Sequence, residues 1–400
     1  KSLEGLGLKT AAEEDAKREN ANIDGNSAMG TMLQYGSTVS KEFAKAYLMK
    51  KKFADAHDNG DIHIHDMDFL AMGTTTCTQI DLNKLFKNGF STGHGYLREP
   101  QDIMSYSALA AIAIQSNQND QHGGQSIPAF DYYLAPGVLK TFKKQYKIAI
   151  AELLDFTGFD TFINSNKVNE KIDKLTSIKF DLSYMDDCAK DSDEVKNIFA
   201  KAYEIAMKKT DKRTYQAMEA FVHNLNTMHS RAGAQVPFSS INFGTDTSPE
   251  GRMVMKNYLL SVNAGLGKSE TPIFPISIFK VKEGVNYNKE DPNYDLFRLS
   301  CEVSAKRLFP NFSFMDSPFN KQYYKGDYNT EVAYMGCRTR VMGNVVDENK
   351  AVTPGRGNLS FTSINLPRIG IKHGIVLGNE KADIKGFFKE LEETIEMVKD

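Results

Sequence analysis

The 400-residue chain has no tryptophan and only four cysteines, Cys77, Cys188, Cys301 and Cys337, at irregular spacing. No Cys-x-x-Cys occurs, which argues against a cysteine zinc site and a dithiol redox motif. Irregular cysteines without a secretory signal suggest a reducing, cytoplasmic setting. The missing tryptophan excludes nothing. An excess of one charge is also lacking. The formal net charge is −2, which makes no electrostatic case for nucleic acid or an anionic membrane as partner. No apolar run approaches the roughly 18–20 residues that a membrane span needs. The chain starts Lys-Ser-Leu-Glu-Gly, with neither Met nor a signal-peptide pattern. It ends in an amphipathic helix without a Gly or Asn cap. Both ends therefore read as interior points of a longer chain.

What is present suits a globular enzyme. Hydrophobic residues make up 41% and charged residues 25%, enough for a sizeable core. Residues 1–30 are polar and read as a peripheral segment. From Ser40 to Asp58 the apolar spacing predicts an amphipathic helix, stopped by Gly60 and followed by an alternating strand, Ile62-His63-Ile64-His65. Ser105 to Gln115 reads as a buried Ala/Ile-rich helix, covered by the domain or by a partner, and Gly123-Gly124 as a tight turn. Residues 137–230 are helical in pattern. Short strands at 236–243, 272–279 and 359–366, with helices at 252–266 and 296–308 between them, argue for an α/β fold with a largely parallel sheet.

Four motifs can carry chemistry. Cys337 sits in Met335-Gly336-Cys337-Arg338, isolated from other cysteines. It is either a small buried side chain or a sulfur used as a reagent, and Arg338 can favour a thiolate or bind an anion. Cys77, among threonines, reads by itself as a small hydrophobe, and Cys301 as a core residue. Cys188 follows two aspartates, which should raise its pKa. His63 and His65 share one strand face, as metal ligands or as a polar strand end. Asn117 to Gln125 is rich in amides, which read nucleobase or ribose edges or simply meet solvent. Thr353 to Asn358 offers Arg356 and backbone N–H groups to a phosphate, but lacks the GK[ST] of a Walker loop.

Taken in order, Asp61-Ile62-His63-Ile64-His65-Asp66, Cys77, Gln121-His122-Gly123-Gly124, Met335-Gly336-Cys337-Arg338, Gly357-Asn358 and Ser363-Ile364-Asn365-Leu366-Pro367-Arg368 resemble the anaerobic (class III) ribonucleoside-triphosphate reductases. These are glycyl-radical enzymes that make deoxynucleotides. The resemblance implies a ten-stranded α/β barrel of two antiparallel five-stranded halves, with residues 31–400 forming its N-terminal and central part. A finger loop presents Cys337 as the thiyl site, and Cys77 supplies the reducing hydrogen from the opposite side. Asn358, 21 positions after Cys337, matches the asparagine of the branch that uses formate as reductant. His63, His65, His122, Gly123, Gly124 and Arg338 would bind substrate, with no metal at the histidines.

The same resemblance implies dNTP and ATP effectors, a homodimer, a radical-SAM activating enzyme, and a C-terminal segment holding the glycyl radical and a structural zinc. That segment and any ATP-cone are not in this sequence, so the chain alone is expected not to turn over. The helix at Ser105–Gln115 is a candidate dimer surface. Three other readings compete. A formate-lyase-type enzyme needs two adjacent cysteines where Cys337 stands alone. A dehydratase usually has glutamate where Thr339 stands. A metal-dependent hydrolase would rest on His63 and His65, and a silent nucleotide-binding domain would not need Cys337.

Overall fold

The protein is described by a computed structural model covering residues 27–160, 163–190, 192–231, 234–336 and 339–400. Most of the peripheral 1–30 segment lies outside the described residues, as do Cys337 and Arg338.

The chain opens with helix α1 (Ala28–Phe43), held at its start by the Ser27 hydroxyl accepting from Gly30 N–H. The helix expected at Ser40–Asp58 is interrupted. One π-turn over Ala44–Leu48 continues α1, Met49 is extended, and α2 (Lys51–Asp58) starts afresh. Apolar spacing carries no signal for such a break. Gly60 at φ +77° ends the region, and β1 (Ile62–Ile64) follows. Next come β2 (Cys77–Gln79), α3 (Leu82–Asn88), and the β3 (Phe90–Ser91) and β4 (Tyr96–Leu97) hairpin.

Helix α4 (Ile103–Asn117) begins at a capping box in which Asp102 and Ser105 satisfy each other's N–H groups. It packs on α5 (Phe130–Thr157) and α7 (Asp193–Thr227). Ile103 N–H donates to Thr141 Oγ1 and the Ser107 hydroxyl donates to Ala217 O, each at 2.8 Å. One face of α4 is thus used inside this chain, while Met104 and Ala108 stand exposed on the other. Between these three helices in the chain lie β5 (Gln125–Ile127) and α6 (Ser165–Asp173).

The remaining elements alternate: β6 (Ser239–Phe243), α8 (Pro249–Ala264), β7 (Ile276–Val281), α9 (Tyr294–Arg307), β8 (Asn311–Phe314) and the short α10 (Pro318–Lys321). Then come the hairpin β9 (Ala333–Met335) and β10 (Thr339–Val341), β11 (Gly357–Asn358), β12 (Thr362–Ile364), α11 (Leu366–His373) and α12 (Ile384–Lys399).

The main sheet has the order β11-β2-β5-β6-β7-β8. Strands β2, β5, β6, β7 and β8 are mutually parallel, and β11 runs antiparallel to β2. The α/β reading with a parallel sheet holds. The closed ten-stranded barrel does not appear among the described residues: the sheet is open, with β11 and β8 as its edges. After β12, which pairs with β1 in a separate two-stranded ladder, the chain turns to helices rather than to further strands of this sheet. No helix among the described residues is long and apolar enough to cross a membrane.

Register divides the sheet into two faces, since paired residues share a side and alternate residues change it. One face carries Ile127, Ile241, Phe243, Phe279 and Phe312, which join the helices in the main core. The other carries Ile276 and Ile278 among a majority of small or polar residues, Cys77, Gln79, Ser126, Ser240, Asn242, Lys280 and Ser313, all of them buried. Parallel sheets normally bury apolar residues on both faces. Here the polar face is covered by the β9–β10 hairpin. Asn242 Nδ2 donates to Tyr334 O and Tyr334 N–H donates to Asn242 Oδ1, both at 2.8 Å. The Ser126 hydroxyl also donates to Tyr334 O (2.7 Å), and Ser313 Oγ donates to Tyr334 OH (2.9 Å).

Replacing fully buried Asn242 by Ala should orphan the Tyr334 N–H and leave the Tyr334 carbonyl to the Ser126 hydroxyl alone. We expect a loss of about 2–4 kcal/mol of stability, measured by urea denaturation. Faster amide exchange should be concentrated at residues 333–341. Uniformly unchanged exchange would refute the clamp.

Candidate active site

Cys77 opens β2 and is 4% exposed. Three backbone segments close around it. Gly124 N–H donates to Cys77 Sγ at 3.3 Å. A Cβ added at Gly336, the residue before Cys337, would lie 2.9 Å from that sulfur, and one at Gly124 would lie 2.4 Å from Gly336 Cα. The glycine pair thus permits close backbone approach, and here the approaching backbone is the chain's own. Gly336 also has φ +54°, a conformation that favours glycine.

Asn358 stands directly opposite Cys77 in the β11–β2 pairing. Its backbone carbonyl accepts from Thr76 N–H at 2.9 Å. Its Nδ2 is buried and meets no hydrogen-bond partner among the described residues. The structure therefore brings Cys77, Asn358, Gly124 and Gly336 together.

His122 lies beside this group. Its ring stacks on Phe69 (4.8 Å between centroids), its Nδ1 is 2.7 Å from Thr74 Oγ1, and its Nε2 is 3.9 Å from Asp66 Oδ2. Burial holds its pKa below the usual 6.5, with Asp66 opposing that shift. Asp66 takes the left-handed conformation at φ +49°, and Thr76 Oγ1 donates to it at 3.4 Å. His63 and His65 are placed differently. They stand exposed on the β1–β12 ladder, 4.6 Å apart edge to face, with His57 stacked 5.1 Å from His63. His65 Nε2 bonds Ser363 Oγ at 2.8 Å. Burial lowers the pKa of His63 and of His57. No group of three or more His, Cys, Asp or Glu among the described residues is arranged to hold a metal ion.

The amide-rich run is mostly bonded to protein. Gln121 closes its own turn by accepting from Gly123 N–H and donating to Gly123 O, both at 2.9 Å. Asn117 Nδ2 donates to Thr78 Oγ1 at 2.9 Å, and the guanidinium of Arg231 donates to the carbonyls of Gln118 and Gln121 at 3.1 Å. Cys301 is exposed on α9, not in the core: it falls on the solvent side of that helix, a side that helical spacing alone does not mark. Cys188 is buried, and burial more than the Asp187 charge raises its pKa. Sequence reasoning missed Gln79, Ser126 and Asn242. Only Asn242 carried a signal, as a polar residue between Ile241 and Phe243 in a predicted strand.

Residues 19–400 match a family profile described as anaerobic ribonucleoside-triphosphate reductase. The chain is 31% identical over 377 residues to the anaerobic ribonucleoside-triphosphate reductase of Enterobacteria phage T4, covering 93% of this chain and 53% of that protein. It is 29% identical over 384 residues to that of Salmonella typhimurium, covering 95% and 46%. The chain thus spans about half the length of the curated relatives it matches. The crystal structure of the anaerobic ribonucleotide reductase from Thermotoga maritima in complex with dATP and CTP aligns with a TM-score of 0.59 at 15% identity, covering 99% of this chain and 57% of that one. At that identity the likeness bears on fold alone.

The depressed pKa values of His57, His63 and His122 set a sign. An unfolded histidine binds its proton near 6.5, above the folded value, so the unfolded chain takes up more protons on acidification. Stability should be full above about pH 6.5 and fall as pH drops through the folded values. A His122→Gln variant should show a shallower decline in thermal melts between pH 7 and 5. An unaltered slope would show that His122 does not contribute.

Proposed function

The chain belongs to the anaerobic ribonucleoside-triphosphate reductase family, and from that membership we propose that it forms the substrate-facing part of an enzyme reducing ribonucleoside triphosphates to 2′-deoxyribonucleoside triphosphates with formate. The observation that carries this reading is the pairing of Cys77 with Asn358 beneath Gly336, the covalent neighbour of Cys337. A sulfur, an unpartnered amide donor and the root of a second cysteine meet on the polar face of one sheet.

In the proposed reaction Cys337 takes the 3′ hydrogen of the ribose as its thiyl form becomes a thiol. The 2′ hydroxyl gains a proton and leaves as water. Cys77 gives a hydrogen atom to C2′. Formate is oxidised to carbon dioxide and returns the reducing equivalent, and Cys337 hands its hydrogen back to C3′. The sum is one formate and one proton consumed, and one water and one carbon dioxide released. An S–H bond is close in strength to the ribose C3′–H bond, so hydrogen moves either way at little net cost. Asn358 Nδ2, a donor without a partner, suits a carboxylate. Buried His122 would be neutral at pH 7 and orient substrate with Arg338, while His63 and His65 would border the entrance. In the longer protein a glycyl radical supplies the unpaired electron. We further propose, on family likeness, that a radical-SAM enzyme installs it, that a structural zinc lies in the same C-terminal segment, and that dNTP and ATP effectors act on a cytoplasmic homodimer.

The test uses the activated full-length protein with CTP tritiated at C3′. Cys77→Ser should form no dCTP yet still release tritium, whereas Cys337→Ser should do neither. Asn358→Leu should raise the formate KM about tenfold or more, the worth of one hydrogen bond to a charged group. Persistent dCTP formation in Cys77→Ser, or turnover without formate, would overturn the mechanism.

A further inference from the structure

Gln79 is 2% exposed, and neither its Oε1 nor its Nε2 meets a hydrogen-bond partner among the described residues. Its backbone is fully used: Gln79 N–H donates to Arg356 O at 2.7 Å, and Gly355 N–H donates to Gln79 O at 2.8 Å. The side chain lies on the same sheet face as Cys77, two residues along the strand, about 7 Å away by strand geometry. Thr78 between them faces the helices, where it accepts from Asn117. In the neighbouring strand Gln79 is paired with Ser126, whose hydroxyl is already given to Tyr334 O.

A buried amide with both ends idle is costly unless a ligand completes it. The two idle ends also specify that ligand. A carboxylate only accepts and would satisfy Nε2 alone. A hydroxyl both donates and accepts, and so answers Oε1 and Nε2 together. Asn358, paired with Cys77 across the ladder, has its buried donor Nδ2 idle and so can take an acceptor such as a carboxylate. We propose that Gln79 is a substrate-binding residue that holds a ribose hydroxyl of the nucleotide beside Cys77, leaving the anion to Asn358. This rests on the reductase reading above.

The test compares Gln79→Met, which keeps the length and removes both polar atoms, with wild type in the activated full-length protein. The KM for CTP should rise about tenfold, the worth of a lost ligand hydrogen bond, while the KM for formate stays unchanged. The ligand-free variant should melt at the same or a higher temperature, because an unpartnered buried amide has gone. A lower melting temperature with an unchanged KM for CTP would make Gln79 structural and overturn the assignment. A rise in the formate KM instead would move Gln79 to the anion and also overturn it. Wild-type protein that does not turn CTP over would refute the reductase reading itself. Turnover by wild type with no change in Gln79→Met would refute this inference alone.

Discussion

The Asn242 carboxamide bonds both backbone groups of Tyr334, and the polar face of the sheet depends on that contact. Serines, amides and a lysine facing inward from parallel strands would each carry a desolvation cost of about 1–3 kcal/mol if left unpaired. The β9–β10 hairpin offsets much of this by offering its own unpaired backbone to them. Asn242, Ser126 and Ser313 all converge on the single residue Tyr334. What the hairpin leaves idle on or beside that face is Gln79, Asn311 and Asn358. Gln79 and Asn358 lie with Cys77 at one edge of the sheet, while Asn311 lies on β8 at the other.

The hairpin is fixed at its root as well as along its length. Glu331, just before β9, receives Lys280 and Lys282 at 3.2 and 3.0 Å and accepts from Thr245 Oγ1 at 3.0 Å. Burial would push its carboxyl up, but the two lysines outweigh it and hold the pKa below the usual range. Its carbonyl accepts from Thr353 Oγ1 at 2.7 Å, which ties the loop leading to β11 to the same point. Removing one member of so buried a set leaves an uncompensated charge. The β9–β10 hairpin and the strand carrying Asn358 therefore share one anchor, and their placement relative to β2 is set together.

Much of this was legible in the sequence, and the remainder has physical reasons. The helices at 103–117, 249–264 and 294–307 and the strands β6 and β7 follow from periodicity. Cys77, Asn358, Gly124 and His122 stand out in the sequence and lie close together in the fold, though only ordered likeness to a family raises Cys77 above a small buried residue. Strands β2, β5 and β11 escaped because they are two or three residues long, too short for a period to show. Gln79 and Asn242 escaped because an amide in a strand is informative only once its face is known. The closed barrel was an expectation from likeness, and this half-length chain forms an open sheet.

The proposed hydrogen-atom transfer would need reacting atoms at contact distance, and side chains are poor devices for that precision because they rotate. Gly124 and Gly336 bring two backbone segments against Cys77 Sγ with no Cβ between, and Gly357 brings a third against Cys77 O. Each segment is itself held by a ladder or by Asn242. Beside the Met335 and Val341 side chains that cluster with Cys77, the sulfur therefore meets backbone, which has fewer soft torsions than a side chain of similar reach. Any L-residue at Gly336 would meet the sulfur at 2.9 Å and carry the strain of φ +54°. The position before Cys337 is thus constrained by packing and by conformation at once. That double constraint is a reason for glycine beside Cys337 independent of any likeness to other proteins.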